Sequence, residues 1–78
     1  MTLPVVTLYT RRGCHLCEQA ESVIRHLAPG RAHVEVVDID GDPQLQARYT
    51  VRVPVVTVDG VEVAEYEVDA VALLALLQ

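Results

Sequence analysis

The chain of 78 residues has no tryptophan, phenylalanine or lysine, and its aromatic residues are three tyrosines. Aromatic residues make up 4% of the sequence, although 51% of it is hydrophobic. A core therefore has to be assembled from valine, leucine, isoleucine and alanine, and the abundance of valine favours strands. The length suits one small domain, which we expect to cover residues 1–78.

Positive charge is scarce as well: six arginines stand against eleven acidic residues, for a formal net charge of −5. Nucleic acid and anionic membrane surfaces attract basic proteins, so we expect neither as a partner. The first residues lack the charged and apolar segments of a secretory signal. The apolar run of residues 70–77 is too short to span a bilayer. We therefore expect a cytoplasmic protein, and a monomer.

Cysteine is limited to Cys14 and Cys17. A disulfide between residues only three apart closes a very short loop, so it would add little to the stability of the fold. Structural zinc usually takes four ligands, and a second cysteine pair is absent. The histidines, at positions 15, 26 and 33, do not show ligand spacing with the cysteines, and His26 and His33 are predicted to be solvated surface residues. We expect no metal, with a cluster shared between two chains as the alternative.

The hydrophobic pattern predicts seven secondary-structure elements. Strands are predicted at four valine-rich segments: residues 3–9, 32–39, 53–58 and 61–66, the last two joined at Asp59-Gly60. Helices are predicted at three segments: from residue 14 to the Pro29-Gly30 pair, from 43 to about 49 after Asp42, and 70–77 after Asp69. The order β-α-β-α-β-β-α, with a right-handed crossover between the first two strands, predicts a four-stranded mixed sheet flanked by helices.

Two of the predicted helices have an apolar stripe that should face the sheet. In the first helix the stripe is formed by residues at helical spacing: Leu16, Ala20, Val23, Ile24 and Leu27. In the last helix it is formed by Leu73, Leu74 and Leu77. These residues are the predicted helical contribution to the core.

The two cysteines stand where the first predicted strand gives way to the first helix. A thiolate, not a thiol, is the nucleophile in disulfide exchange. The helix N-terminus favours negative charge at Cys14, and Arg11, Arg12 and a protonated His15 would add positive charge nearby, so we expect a lowered pKa for Cys14. Cys17, one turn further, suits a resolving role. The pattern predicts a thiol–disulfide oxidoreductase with Cys14 and Cys17 as its catalytic residues.

The run Cys14-His15-Leu16-Cys17 between strand and helix, the run Arg52-Val53-Pro54-Val55 before the hairpin, and the element order are found together in one family. On these features the chain resembles the glutaredoxin-like branch of the thioredoxin superfamily over nearly its whole length. The resemblance implies an α/β thioredoxin-like fold of the glutaredoxin type. It also implies a cis Val53–Pro54 bond, with Pro54 against the cysteines and the backbone of Val53 pairing with an extended substrate. Arg11 matches the basic residue that helps to bind the glutathione carboxylate.

The chain departs from the family at its glutathione-binding positions. Common glutaredoxins have Pro-Tyr between the cysteines, where this chain has His15-Leu16. They also have a Gly-Gly kink followed by Asp after the hairpin, where this chain has residues 64–69, which lack glycine and include Glu65 and Glu67. The resemblance implies a protein disulfide or a glutathione mixed disulfide as substrate, and glutathione or a reductase as reductant. No bound cofactor is expected, and glutathione is a candidate co-substrate. The alternative is a non-catalytic adaptor module, or one that binds a metal or cluster.

Overall fold

A central strand with alternating buried side chains organises the fold. In the computed structural model, which describes residues 2–78, β1 (Val5–Thr10) pairs in parallel with β2 (His33–Asp38) and antiparallel with β3 (Val55–Val58). A further antiparallel strand, β4 (Val61–Glu65), completes the sheet in the order β2-β1-β3-β4. This is the mixed four-stranded sheet predicted from the sequence.

Three helices connect and cover the strands: α1 (His15–Leu27), α2 (Pro43–Tyr49) and α3 (Ala70–Leu77). The side chain of Asp42 accepts hydrogen bonds from two backbone N–H groups at the start of α2, and Asp69 does the same at the start of α3. Both N-caps were predicted, because aspartate satisfies N–H groups that have no partner inside the helix. No helix in the described part of the chain is long and apolar enough to cross a membrane.

The second strand ends earlier than predicted. β2 stops at Asp38, and a single 3-10 turn follows at Ile39–Gly41. The cause is local, because the Asp38 side chain accepts a hydrogen bond from the Asp40 N–H at 2.8 Å and so bends the chain away from the sheet. The turn buries Ile39 completely, which places this side chain under α2 rather than in the strand.

Successive residues of the central strands point to opposite faces of the sheet, and both faces are covered. One cluster joins even-numbered residues of β1 and β3 to α1 and α3: Val6, Leu8, Ala20, Ile24, Val56, Leu73 and Leu77. On the other face Ile39, Tyr49 and Val55 pack together, with Tyr9 at their side. The predicted contributions of Ala20, Ile24, Leu73 and Leu77 are therefore confirmed.

Leu16 does not join the core, contrary to the prediction. The buried stripe of α1 passes through Cys17, Ala20 and Ile24, at spacings that repeat on one helix face. Leu16 lies about 100° around the helix from Cys17 but about 40° from Ala20, so it stands at the edge of that stripe in the first turn, and 39% of it is exposed. The residue that separates Cys14 and Cys17 by sequence on the helical side therefore has an exposed apolar side chain.

The Asp59-Gly60 pair closes the predicted hairpin between β3 and β4. Both residues have positive φ, +50° for Asp59 and +87° for Gly60, as expected for a two-residue turn that matches the twist of the strands. The carboxylate of Asp59 also accepts a hydrogen bond from the Val5 N–H at 2.9 Å. One aspartate thus closes the hairpin and fixes its tip to the start of β1.

Replacing Asp59 by alanine is expected to lower the free energy of unfolding by about 1–2 kcal/mol, because it removes the acceptor for Val5 N–H and places a residue that disfavours positive φ in the turn. Asp59→Asn is the matched control: asparagine keeps an acceptor and tolerates positive φ, so its loss should stay below about 0.5 kcal/mol. Urea unfolding of the three proteins measures the difference. An alanine variant as stable as the wild type would contradict this role for the carboxylate.

Candidate active site

Cys14 and Cys17 meet at the N-terminus of α1. Cys14 is the N-cap residue and has an extended backbone, while Cys17 lies in the first helical turn. Their sulfur atoms form a disulfide, with the Cα atoms 5.2 Å apart, inside the usual range of about 4.4–6.8 Å. The structure therefore brings together the two residues that the sequence predicted as a redox pair.

The two sulfur atoms have different surroundings. Cys17 is 2% exposed, whereas Cys14 is only partly buried. The backbone N–H of Cys17 donates a hydrogen bond to Sγ of Cys14 at 3.1 Å. An external thiol or disulfide must reach the sulfur that it exchanges with, so this geometry makes Cys14 the accessible partner and Cys17 the protected one.

Arg11, predicted as a glutathione contact, is engaged within the protein. Its guanidinium donates to the Thr50 carbonyl at 3.1 Å and to a carboxylate oxygen of Asp40 at 3.2 Å. These bonds fasten the loop before Cys14 to the 3-10 turn and to the end of α2. Sequence reasoning missed both partners, because Asp40 and Thr50 are 29 and 39 residues away from Arg11 in the chain.

The other basic groups near the motif are largely exposed. Nδ1 of His15 lies 3.8 Å from a carboxylate oxygen of Glu18, and both side chains are mostly exposed. Nε2 of His15 is 3.2 Å from the side-chain amide nitrogen of Gln19. Arg12 is exposed as well. The charges of Arg11 and His15 are partly matched by Asp40 and Glu18, and the helix N-terminus lies directly at Cys14.

Val53 and Pro54 stand at the entrance to β3. Pro54 is fully buried, and the peptide bond that joins it to Val53 is cis. Val53 is half-buried beside the cluster of Ile39, Tyr49 and Val55. Contact of Pro54 with the cysteines and of the Val53 backbone with a substrate both stay predictions.

Arg52 ties this segment to β4. Its guanidinium donates to Glu65 at 2.8 Å and also to Glu62, and it lies over the Tyr49 ring, 5.6 Å from the ring centroid. The pKa of Arg52 is raised above its usual value, mainly by the hydrogen bond with Glu65 and to a smaller extent by the one with Glu62. The Tyr49 ring, stacked on Tyr9 at 4.6 Å, has its pKa raised by burial. No signal for this pairing is present in the sequence, because Glu62 and Glu65 are three residues apart and would lie on opposite faces of a regular strand. The register between β3 and β4 shifts between Val56 and Thr57.

An open groove lies beside the disulfide, between α1 and the segment that follows β4. Its volume is about 160 Å³. The residues that line it are Leu16, Gln19, Ala20, Val23, Tyr66, Glu67 and Val68. The backbone N–H of Tyr66 donates to the Pro54 carbonyl at 2.8 Å. One wall of the groove is therefore Leu16, which lies between the two cysteines in sequence. The other wall includes Tyr66, which is hydrogen-bonded to Pro54. The two walls of the groove fall at the positions, His15-Leu16 and residues 64–69, where the sequence departs from the glutathione-binding pattern of the family, although the sequence did not predict a groove between them.

Histidines 26 and 33 are exposed, as predicted. Within residues 2–78, no three histidine, cysteine, aspartate or glutamate side chains are grouped so that they would hold a metal ion.

The chain is similar to known proteins over almost its full length. A family model described as glutaredoxin-like domain (DUF836) matches residues 5–78. An uncharacterized protein of Mycobacterium tuberculosis, Rv0508, is 35% identical over 75 residues, which cover 88% of this chain and 77% of the relative.

Solved structures are similar as well. The solution structure of protein Ne2328 from Nitrosomonas europaea has 32% identity and a TM-score of 0.84, covering 100% of this chain and 95% of that one. A mutant thioredoxin from Halobacterium salinarum has 31% identity and a TM-score of 0.71, covering 95% of this chain and 71% of that one. By sequence and by structure, the chain belongs to the glutaredoxin-like domain family of the thioredoxin superfamily.

Proposed function

We propose that the protein is a thiol–disulfide oxidoreductase in which Cys14 attacks and Cys17 resolves. The observation that carries the proposal is the Cys14–Cys17 disulfide at the start of α1, with the first sulfur accessible and the second buried. Membership of the glutaredoxin-like family supports redox chemistry at this pair. We place the protein in the cytoplasm, where glutathione and thioredoxin keep thiols reduced. In that compartment the Cys14–Cys17 disulfide would be reduced back to two thiols.

The proposed reaction proceeds in two exchanges. The thiolate of Cys14 attacks one sulfur of the substrate disulfide; that bond breaks, a mixed disulfide forms, and the departing thiolate takes a proton. The thiolate of Cys17 then attacks Sγ of Cys14, which releases the second substrate thiol and leaves the Cys14–Cys17 disulfide. Two electrons and two protons pass to the substrate, and an external dithiol or two molecules of glutathione restore the protein.

The protein's contribution to the first exchange is to stabilise negative charge on Cys14. The Cys17 N–H already points to Sγ of Cys14, and the free N–H groups of the first turn add the positive end of the helix dipole. A hydrogen bond to the ionised form of a group lowers its pKa. Arg11 contributes less than its position suggests, because its charge is shared with Asp40.

In the reduced protein, Cys14 is expected to titrate below the ordinary thiol value of about 8.5. The thiolate is the reactive form, so the rate of alkylation by iodoacetamide should rise with pH through a midpoint below that value. The Cys17→Ser variant isolates Cys14 for this measurement, and Cys14→Ser reports Cys17 as the matched control, with a higher midpoint. A midpoint for Cys14 at or above about 8.5 would contradict the proposed activation.

Substrate contacts are proposed from the family resemblance. The backbone of Val53 would pair with an extended segment of substrate, alongside Pro54. Arg11 would bind the glutathione carboxylate through N–H groups of its guanidinium that Asp40 and the Thr50 carbonyl do not occupy. Glutathione therefore stays a candidate co-substrate, and a reductase stays the other candidate for electron supply.

The experiment that tests the proposal is reduction of hydroxyethyl disulfide by the purified protein, supplied with electrons from glutathione or from a thioredoxin reductase. We expect turnover with one of these supplies, and mass spectrometry of Cys17→Ser should show a mixed disulfide on Cys14. No turnover with either supply, and no adduct on Cys14, would contradict the proposal and favour the adaptor alternative.

A further inference from the structure

The groove between Leu16 and Tyr66 has a shape and charge that suit one kind of substrate. We infer that it receives an apolar side chain next to the reacting cysteine of a polypeptide, with a basic residue of that polypeptide beside Glu67. The inference rests on the proposed oxidoreductase function and names its substrate class: a protein disulfide with apolar and basic flanks, in preference to a glutathione mixed disulfide.

The position of the groove connects it to the proposed reaction. Leu16 stands between the two cysteines, and Tyr66 is bonded through its N–H to the carbonyl of Pro54. A polypeptide whose cysteine reaches Cys14 would have its neighbouring side chains within reach of both walls, because adjacent Cα atoms are about 3.8 Å apart. The groove is therefore a place for the flank of a substrate rather than for its sulfur.

The size and character of the groove suit one apolar side chain. Its volume is about 160 Å³, close to the roughly 150 Å³ of a cavity that holds a benzene-sized group. Apolar surface comes from Leu16, Ala20, Val23, Tyr66 and Val68, and polar groups come from Gln19 and Glu67. Leu16 is 39% exposed and Tyr66 is 45% exposed, although both side chains are large and carry apolar surface. Burying that surface against a substrate would favour binding.

Tyr66 also has an unusual backbone, with φ at +66°. A bulky residue in this region is uncommon, since glycine adopts it without steric cost. Strained residues cluster at ligand-binding positions, so the tyrosine at this point is a second observation in favour of a binding role for its ring. Glycine would fit the backbone better but would remove one wall of the groove.

Charge selects the kind of polypeptide. Glu67 lines the groove and forms no ion pair with another residue of the described chain, 2–78. The chain as a whole carries a formal charge of −5. Glutathione has two carboxylates and one amine, so it would meet repulsion here, whereas a lysine or arginine beside the cysteine would be attracted.

The test compares peptides whose single cysteine is joined by a disulfide to a chromogenic thiol. In these peptides the residue before the cysteine is leucine or alanine, and the residue after it is lysine or glutamate. Glutathione joined by a disulfide to the same chromogenic thiol is the further substrate. For the wild type we expect kcat/KM to be about 10-fold higher with leucine than with alanine, and about 3-fold higher with lysine than with glutamate. The glutathione derivative should react more slowly than the leucine-lysine peptide.

Variants then assign these preferences to the groove. Tyr66→Gly should reduce the leucine preference to about 2-fold or less without lowering the melting temperature, a combination that a purely structural role would not produce. Leu16→Ala should reduce the same preference from the opposite wall, and Glu67→Gln should remove the lysine preference. Val71→Ala, on an exposed position of α3 outside the groove, is the matched control and should keep both preferences.

Two results would overturn the inference, and they differ from failure of the proposed function. Equal kcat/KM values across the peptides, or a faster reaction with the glutathione derivative, would overturn the substrate assignment while leaving the oxidoreductase intact. Preferences that survive in both Tyr66→Gly and Leu16→Ala would overturn the assignment to this groove. A wild-type protein that also fails to reduce hydroxyethyl disulfide would overturn the proposed function itself.

Discussion

Cys14→Ser is expected to reduce the rate of disulfide reduction by about a thousandfold or more, to the uncatalysed level. The reaction has no other route, because the mixed disulfide forms on Sγ of Cys14 and serine offers no comparable nucleophile at neutral pH. The remaining cysteine cannot replace it, since Cys17 is 2% exposed. Steady-state turnover of hydroxyethyl disulfide measures the loss.

The matched control is Cys17→Ser, which removes the resolving thiol and keeps the attacking one. This variant should still perform the first exchange once, and the mixed disulfide on Cys14 should accumulate because no internal thiol releases it. Circular dichroism of both variants checks that the fold is intact. If Cys14→Ser kept full turnover, or if the mixed disulfide accumulated on Cys17 of that variant, the assignment of the two cysteines would be reversed.

Ile24→Ala is expected to lower the free energy of unfolding by about 2–5 kcal/mol. Ile24 is 1% exposed and joins α1 to the residues of β1, β3 and α3 in the larger core cluster. A domain of this length has a total stability of roughly 4–12 kcal/mol, so the loss is a large part of it. The effect is large because a closely packed core relaxes only partly around the cavity that the substitution leaves.

Urea unfolding measures this loss, and Ile24→Val provides the matched control. Removing one methyl group should cost about 0.5–1.5 kcal/mol, while the activity of the folded fraction stays the same in both variants. Ile24 faces the sheet and makes no contribution to the chemistry at Cys14. An alanine variant with wild-type stability would show that α1 is not held to the sheet by this side chain.

Local signals in the sequence were sufficient for most of the fold. The Asp42-Pro43 pair and Asp69 act through hydrogen bonds within a few residues, and Asp59-Gly60 acts through the positive φ of its two residues. The structure has each of them where it was predicted. The end of β2 was missed, because the turn formed by Asp38 competes with a strand pattern that continues through Ile39. A short side-chain bond decided that boundary.

The candidate site was predicted less completely, for a different physical reason. Cys14 and Cys17 are neighbours in sequence, so their spacing on a helix was enough to bring them together. The bonds of Arg11 to Asp40 and Thr50, and the approach of Tyr66 to Leu16, depend on how distant segments pack. Leu16 was assigned to the core because helical spacing alone does not reveal where a stripe of buried residues ends.

A redox titration of the Cys14–Cys17 pair against glutathione tests the central claim most directly. An exchangeable catalytic dithiol should be in equilibrium with the buffer and give a reduction potential between about −270 and −180 mV, the range covered by thioredoxin, glutaredoxins and protein disulfide isomerase. Alkylation of the free thiols followed by mass spectrometry reports the reduced fraction at each ratio. A potential below about −300 mV, typical of structural disulfides, would contradict the account.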